Sequence, residues 1–358
     1  MRKNAKVLSL ILAGAMAMSL AGCSGSGSKD STKETAAKSE AKEAGAESSG
    51  QETSKAAGAG EADASGETYQ IGVLQLVQHD ALDAANKGFF AALDEAGINY
   101  EADQQNASGE QANCMTIAEK LVNDGSDLIL AIATPAAQAV AGVTEEIPVL
   151  LTAVTDPAES GLVNDNEKPG VNVSGTSDLT PVKEQIDLLK LLPDAEKVGL
   201  LYCSAESNSQ LQIAMAEEAC KEAGLSCEEY TVPSSNEIQS VVESMVGKVD
   251  VIYAPTDNVI AAGMSTVAMI ATDNQIPVIC GEAGMVNAGG LATYGIDYYQ
   301  LGYMTGEQAI EILTKGADVA EMPIGYLPAE RCALTVNKTT ADALGIDISG
   351  LEGAEIVE

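Results

Sequence analysis

The chain has 358 residues but no tryptophan, one histidine and few basic side chains. Lys and Arg number 19 against 53 Asp and Glu, so the formal net charge is −34. A nucleic-acid-binding protein needs a basic face that neutralises phosphates, so this charge excludes DNA and RNA as partners. Because there is one histidine and no Cys–His cluster, we also expect no metal site and no cofactor.

Enzyme signatures are missing as well. The sequence has no G-x-S-x-G elbow, no phosphate-binding G-x-x-x-x-G-K-[ST] loop, no G-x-G-x-x-G and no H-E-x-x-H. His79 is the one candidate general base, but a lone histidine near a helix start is more often a cap or a surface residue. We therefore predict that the protein is not an enzyme. A hydrolase on a doubly wound fold is the alternative, and turnover or a covalent intermediate would support it.

The first 23 residues are typical of an export signal. Arg2, Lys3 and Lys6 precede an apolar run that is too short for a comfortable membrane span. The run ends in Leu20-Ala21-Gly22-Cys23, which resembles the bacterial lipoprotein box. We expect cleavage before Cys23, lipidation of its thiol, and a protein held on the extracytoplasmic face of the cell membrane.

Residues 24–68 contain no Val, Ile, Leu, Met, Phe or Tyr. Such a segment buries too little apolar surface to offset the entropy of ordering, so it is predicted to be a disordered tether. The folded body then begins near Tyr69. Its six cysteines show no C-x-x-C spacing, which favours buried free thiols that behave as small hydrophobic groups.

The body alternates apolar, strand-like runs with amphipathic helical segments. The predicted strands are Tyr69–Val77, Asn99–Ala102, Asp127–Ala133, Pro148–Val154, Val171–Gly175, Lys197–Tyr202, Glu228–Val232, Val249–Ala254, Pro277–Cys280 and Ala333–Val336. The predicted helices are Ala81–Ala96, Glu110–Asn123, Pro181–Leu192, Ser209–Ala223, Glu237–Val246, Val259–Ala271 and Gly302–Leu313. This alternation indicates an α/β protein with two doubly wound parallel-sheet lobes, divided near Asp178–Pro181.

Polar side chains follow most of the predicted strands, at the edge where ligands bind in open α/β sheets. These groups are Gln78-His79-Asp80, Thr134-Pro135, Thr155-Asp156, Ser204–Ser209, Thr256–Asn258 and Gly281-Glu282. Thr134 and Pro135 suit the N-cap and first positions of a helix. Helix N-termini bind anions through free N–H groups, and the hydroxyls of Thr134, Thr155 and Ser209 add donors.

The charged residues of the body indicate the kind of ligand. Arg331 is the only arginine after the signal, so backbone N–H groups and hydroxyls must hold any ligand carboxylate. The carboxylates of Asp257, Asp297 and Glu282 are candidates for holding an ammonium group, an arrangement that suits a zwitterion. Four tyrosines near Asp297, among them Tyr294, either stack on a flat ligand group or pack between helix and sheet.

Several stretches together resemble the substrate-binding lipoproteins of ABC importers, of the branch associated with tryptophan, tyrosine and phenylalanine uptake. They are Thr134–Gln138, Thr152–Pro157, Asn172–Asp178, Pro255–Asn258 and Ala292–Tyr299. The resemblance implies a type I periplasmic-binding fold with three crossings between lobes, near Ser177–Thr180, Leu291–Asp297 and Met322–Tyr326. Lobe 1 would comprise 69–178 and about 295–323, and lobe 2 would comprise 179–294 and about 324–358.

The same resemblance implies that the ligand lies in the cleft between the lobes. With the polar groups above, it gives a predicted ligand-binding set of Gln78, Thr134, Thr155, Asp156, Asn208, Ser209, Asp257, Tyr294 and Asp297. We expect a monomer that captures an aromatic amino acid and delivers it to an ABC permease and its ATPase. A branched-chain amino acid or a nucleoside is the alternative ligand, and a receptor-coupled sensor the alternative role.

Overall fold

A computed structural model describes residues 66–192, 195–328, 331–351 and 353–358. The predicted signal peptide, the lipidation site Cys23 and the tether as far as residue 65 lie outside these ranges. Within them, no helix combines the length and apolar character that a bilayer crossing requires.

The first lobe is built on a six-stranded sheet in the order β11-β5-β4-β3-β1-β2, in which every pairing is parallel. Its strands are β1 (Tyr69–Gln75), β2 (Tyr100–Asn106), β3 (Leu128–Ile132), β4 (Val149–Val154), β5 (Val173–Ser177) and β11 (Gly325–Tyr326). Every residue of β3 and β4 is buried, as expected of central strands that helices cover on both faces.

Four helices cover this sheet: α1 (Asp80–Glu95), α2 (Gln111–Asn123), α3 (Thr134–Ala141) and α10 (Tyr298–Lys315). The pair α1 and α10 packs backbone against backbone, because a Cβ at Gly302 would overlap the carbonyl of Ala85. This close approach brings the N-termini of both helices, at Asp80 and Tyr298, to the same edge of the sheet.

The second lobe has a seven-stranded sheet in the order β13-β12-β10-β9-β8-β6-β7, parallel except for the antiparallel pair β10 and β12. Its strands are β6 (Lys197–Cys203), β7 (Ser226–Val232), β8 (Val251–Ala254), β9 (Val278–Cys280), β10 (Ala292–Gly295), β12 (Ala333–Asn337) and β13 (Glu355–Val357). Its helices are α4 (Val182–Asp187), α5 (Ser207–Ala223), α6 (Ile238–Met245), α7 (Asn258–Ala262), α8 (Met264–Asp273), α9 (Ala283–Asn287) and α11 (Lys338–Leu344).

The predicted fold class, two doubly wound parallel-sheet lobes, is confirmed, with local differences. The chain passes between sheets from β5 to α4, from β10 to α10, and from β11 to β12. The sequence assigned residues from about 324 onward to lobe 2, whereas β11 pairs with β5 and stays in the first sheet. The single helix predicted over 259–271 is two helices, α7 and α8, which meet at Gly263.

Each lobe has its own apolar core, made mostly of Val, Ile, Leu and Ala. The six cysteines in the described ranges are free thiols. Four of them are buried, and Cys227 and Cys332 are half-buried. The cores therefore rest on aliphatic packing rather than on cross-links between described residues.

Candidate functional site

A small cavity lies where the carboxyl ends of the strands of both sheets meet. It is lined by His79, Leu82, Ala153, Thr155, Asp178, Asn208, Thr256, Asp257, Asn258, Ala261, Glu282 and Tyr298. The first four and Tyr298 come from lobe 1, Asp178 follows β5 on the first crossing, and the others come from lobe 2. Both lobes therefore contribute side chains to one site.

The wall from lobe 1 is shaped by strained backbone. Ala133 and Ala153, at the ends of β3 and β4, have φ of 83° and 55°. A residue with a Cβ pays about 1–3 kcal/mol for such angles, and this strain concentrates at functional sites. Each alanine lies within two residues of a predicted ligand-binding threonine, Thr134 or Thr155, so the strained turns set the positions of both hydroxyl groups.

Thr134 was predicted as the N-cap of a helix. The structure instead makes Ala133 the cap and Thr134 the first helical residue of α3, because the chain turns at the strained alanine. The Thr134 hydroxyl is therefore not used in capping. It is buried and finds no hydrogen-bond partner among the described residues.

Asp178 lies on the first crossing between the lobes and is 4% exposed. The Tyr298 hydroxyl donates to its Oδ2 over 2.8 Å, while Oδ1 is buried and finds no partner in the described structure. Burial raises the pKa of this carboxyl group to about 6. One of its two oxygens is thus open to a donor that a ligand brings.

Lobe 2 adds the carboxyl groups of Asp257 and Glu282 to the cavity wall. Asp257 accepts hydrogen bonds from the backbone N–H groups of Cys203 (2.6 Å) and Ile260 (2.8 Å), and burial raises its pKa. Glu282 caps α9 through the N–H groups of Gly284 and Met285, and burial raises its pKa to about 7. None of the lining residues is Lys or Arg, so positive charge must come from a ligand.

A third acid, Glu206, lies just behind the cavity wall and is 3% exposed. Its Oε2 accepts from the side-chain amides of Asn258 (2.6 Å) and Asn208 (3.2 Å), and its Oε1 accepts from the backbone N–H of Val259 (3.2 Å). Burial and the neighbouring Asp257 raise the pKa of Glu206 to about 8. The carboxyl group thereby holds the Nδ2 atoms of Asn208 and Asn258 toward Glu206, so that the Oδ1 atoms point elsewhere.

The orientation of these amides decides whether the two asparagines offer hydrogen-bond donors or acceptors to the cavity. The Oδ1 of Asn208 is buried without a partner in the described structure. The Oδ1 of Asn258 lies 3.2 Å from His79 Nε2. Because a carbonyl oxygen only accepts, Nε2 is the donor in this bond.

Burial lowers the pKa of His79, so the ring is neutral near pH 7 and its buried, unpartnered Nδ1 is an acceptor. The three unpartnered polar atoms on lining residues, those of His79, Asp178 and Asn208, are therefore all acceptors.

The lobes touch each other around the cavity. Gln212 donates to Thr155 Oγ1 over 3.2 Å and also to Thr256, which ties the lobe 1 wall to lobe 2. Further out, Gln111 Nε2 donates to the Ala205 carbonyl over 2.9 Å, and Gln138 Nε2 to the Ser207 hydroxyl over 3.4 Å. These contacts hold the two lobes in a closed arrangement around the cavity.

The structure brings Thr155, Asn208 and Asp257 into the cavity lining and places other predicted site residues elsewhere. Ser209 is fully buried with its hydroxyl against the Asp257 carboxylate. Neither Ser209 nor Thr134 lines the cavity, and the remaining four predicted residues do not line it either. Gln78 is exposed beside Asp83, Asp156 accepts from the turn that follows it, Tyr294 packs half-buried against the lobe 2 core, and Asp297 is an exposed N-cap of α10.

The sequence reasoning did not single out Glu206 and Asp178 as site residues. Glu206 lies within the polar stretch that follows β6, and Asp178 ends a stretch that carried the family resemblance. The sequence signal that could have identified Glu206 as a site residue was its position after a strand. His79 was considered only as a base, whereas its ring joins the two lobes.

Comparison with known proteins identifies the family. Residues 70–351 match the ABC transporter substrate-binding protein family. The chain belongs to that family. It is 40% identical over 353 residues to the "Tyrosine-binding protein" of Clostridioides difficile strain R20291, covering 96% of this chain and 93% of the relative. The predicted resemblance to substrate-binding proteins of ABC importers is thereby confirmed, and the family is not one of enzymes.

Two solved structures of similar sequence differ in whether they hold a ligand. A Streptococcus pneumoniae domain in complex with L-Trp is 39% identical with a TM-score of 0.78, covering 81% of this chain and all of that one. A ligand-free, open protein from Clostridium difficile is 43% identical but has a TM-score of only 0.62, covering 81% of this chain and 99% of that one. The less similar sequence gives the better superposition, which agrees with the closed arrangement of this substrate-binding protein.

Proposed function

We propose that this substrate-binding protein captures an aromatic L-amino acid in the cavity between its lobes and releases it, chemically unchanged, to an ABC importer. The observation that carries the proposal is the character of the cavity. Its unpartnered polar atoms are acceptors, and buried carboxyl groups line it without a basic side chain. A ligand ammonium group supplies the charged donor that the Asp178 carboxyl group lacks.

Asp178 is the proposed partner of the ligand ammonium group, with Glu282 beside it. The Asp178 Oδ1 is buried and unpartnered within the described structure, and Glu282 uses its oxygens for only two backbone N–H groups. An arriving cation favours the charged form of both acids and so opposes the effect of burial on their pKa values. Asp257, one of the three acids that the sequence offered as ammonium partners, has its oxygens engaged within its own lobe.

The ligand carboxylate is assigned to the ends of β3 and β4. The unused Thr134 hydroxyl stands at the N-terminus of α3, where free N–H groups and the helix dipole favour an anion. Thr155 follows the adjacent strand and already contacts Gln212 of lobe 2. A zwitterion held in this way contacts both lobes, so binding favours the closed state over the open one.

Relatives support an aromatic side chain. The Clostridioides difficile relative is named as binding tyrosine, and the Streptococcus pneumoniae domain was solved with L-Trp. With no tryptophan and only two phenylalanines in this chain, the ligand ring must meet tyrosine, histidine or aliphatic surfaces.

The role in the cell follows from the family and from the N-terminal sequence. We propose that the protein is exported, that Cys23 carries the lipid, and that the monomer works on the extracytoplasmic face of the cell membrane beside an ABC permease and its ATPase. Replacing Cys23 with Ala is expected to release the protein from the membrane fraction. Recovery of the variant in that fraction would count against the anchor.

The ligand is tested by a thermal-shift screen of residues 68–358, after unfolding and refolding to remove bound ligand. The panel contains the twenty amino acids, nucleosides and sugars. A ligand at about 100 times its Kd adds roughly 2.7 kcal/mol of stability. Shifts with Tyr, Trp or Phe support the proposal, whereas a shift with a nucleoside or a branched-chain amino acid alone overturns the aromatic assignment.

A further inference from the structure

The two ends of the cavity differ chemically. At one end lie Asp178, Tyr298 and Glu282, where acids prevail. At the other lie His79, Asn208 and Asn258, whose free atoms belong to neutral groups, beside Asp257, whose oxygens accept from backbone N–H groups. An amino acid whose ammonium group occupies the acidic end directs its side chain to the neutral end.

A second cleft, of about 280 Å³, lies beyond Glu206 and shares no lining residue with the cavity; its walls include Leu76, Pro135 and Val259. Glu206 lines this second cleft, and its carboxyl group holds the amides of the two cavity asparagines. Glu206 therefore stands between the second cleft and the polar atoms of the neutral end.

The neutral end offers buried acceptors that find no partner in the described structure. Asn258 uses one of its two amide N–H groups on Glu206 and its carbonyl on His79. Asn208 uses its N–H groups on Glu206, Ser209 and the Thr256 carbonyl, which leaves Oδ1. Together with His79 Nδ1, this gives two buried acceptors that a purely hydrocarbon ring leaves unsatisfied.

We propose that this neutral end selects amino acids whose side chain carries a hydrogen-bond donor, a phenol O–H or an indole N–H, and that Glu206 maintains the selection by orienting Asn208 and Asn258. The inference rests on the proposed amino acid function and adds a specificity rule to it. Leaving a buried acceptor unpaired costs free energy of binding, so a ligand of the same shape without the donor binds less tightly.

The first test uses the wild-type protein and pairs of ligands with one difference. Calorimetric titration compares L-tyrosine with L-4-methylphenylalanine, and L-tryptophan with 3-benzothienyl-L-alanine, in which sulfur replaces the indole N–H. The donor-bearing member of each pair is expected to bind at least tenfold more tightly. Equal affinities within both pairs overturn this inference while the amino acid function stands, whereas absence of binding by all four overturns the function itself.

Variants then test which residues cause the preference for donor-bearing ligands. The Asn208→Leu change is expected to weaken tyrosine binding at least tenfold and to change the affinity for 4-methylphenylalanine less than twofold, so that the preference collapses. Glu206→Gln, which brings an N–H₂ group against the two amides, is expected to reduce the same preference. Gln239→Ala, at an exposed position of α6 where the side chain bonds within that helix, serves as the folded control. A preference that persists in both cavity variants contradicts the assignment, and a merely structural role would weaken both ligands equally.

Discussion

The two lobes share one architecture but contribute different chemistry to the cavity between them. Lobe 1 supplies the Thr155 hydroxyl group to the cavity wall, and Thr134 lies on the neighbouring strained turn. Lobe 2 supplies carboxyl and amide groups, at Asp257, Glu282 and Asn208. In the proposed binding mode the two ends of the zwitterion contact different lobes, so binding and closure are coupled. Asp178, on the crossing between the lobes, is the proposed partner of the ammonium group.

The largest effect is expected from Asp178→Asn. The change removes the charge proposed to face the ligand ammonium group but keeps the size of the side chain. Loss of one partner of a buried charge pair costs 2–5 kcal/mol or more, so tyrosine affinity should fall at least hundredfold, by about 2.7 kcal/mol. Calorimetric titration measures this, with Asp156→Asn as the matched control outside the cavity. Unaltered affinity in the folded Asp178 variant would assign the ammonium group elsewhere.

The second-largest effect is expected on the free energy of unfolding, and it distinguishes the helix packing of lobe 1 from that of lobe 2. Gly302 lets α10 of lobe 1 approach α1 so closely that a methyl group would overlap the Ala85 carbonyl. Overpacking costs typically 1–3 kcal/mol and more when backbone must move, so Gly302→Ala should lower the free energy of unfolding by about 3 kcal/mol.

Gly224 of lobe 2 is the comparison. It ends α5 at φ 75° with open space around it, so Gly224→Ala should cost only about 1 kcal/mol, from backbone strain. Urea denaturation of both variants measures the difference. Equal losses would mean that the helices of lobe 1 can separate without penalty.

The third effect is pH dependence, to which the acids of lobe 2 contribute most. Burial raises the folded-state pKa of Glu282 to about 7 and of Glu206 to about 8, above their unfolded values. The folded state then binds more protons than the unfolded state, so the ligand-free protein loses stability as pH rises from about 5 to 8. His79 acts in the opposite sense below about pH 6.5, because its folded-state pKa is lowered.

The clearest fall in Tm is therefore expected between pH 6.5 and 8. Because a bound ammonium group favours the charged acids, tyrosine should reduce this fall. Thermal denaturation of ligand-free and tyrosine-saturated protein across this range measures both curves. Parallel curves would show that the ligand does not contact the buried acids.

Much of the fold follows from local sequence. Runs such as Leu128–Ile132 are apolar throughout because both faces of a central strand are covered, and glycine or asparagine ends several helices. The short strand β11 was not predicted as part of lobe 1, since two residues carry no periodicity. Its place depends on pairing with β5, which is remote in sequence.

The site could be predicted only in part, because exposure of a carboxylate depends on tertiary contacts. Asp257 and Asp297 both follow strands and both cap helices, so the sequence treats them as equivalent. Folding buries the first against Cys203 and leaves the second exposed. Glu206 carries no local signal for burial at all, and its role arises from Asn208 and from Asn258, which is 52 residues away in sequence.

The smallest effect on affinity is expected from Asp297→Ala, and it sharpens the contrast with the buried acids. Asp297 Oδ1 accepts from the Gln300 backbone N–H over 3.1 Å and lines a groove outside the cavity. Its removal should cost about 1 kcal/mol of stability through loss of the helix cap, with tyrosine affinity changed less than twofold. Urea denaturation and calorimetry on one preparation separate the two readings. A tenfold loss of affinity would instead return Asp297 to the ammonium site, and the outer groove would then have to be part of the binding cleft.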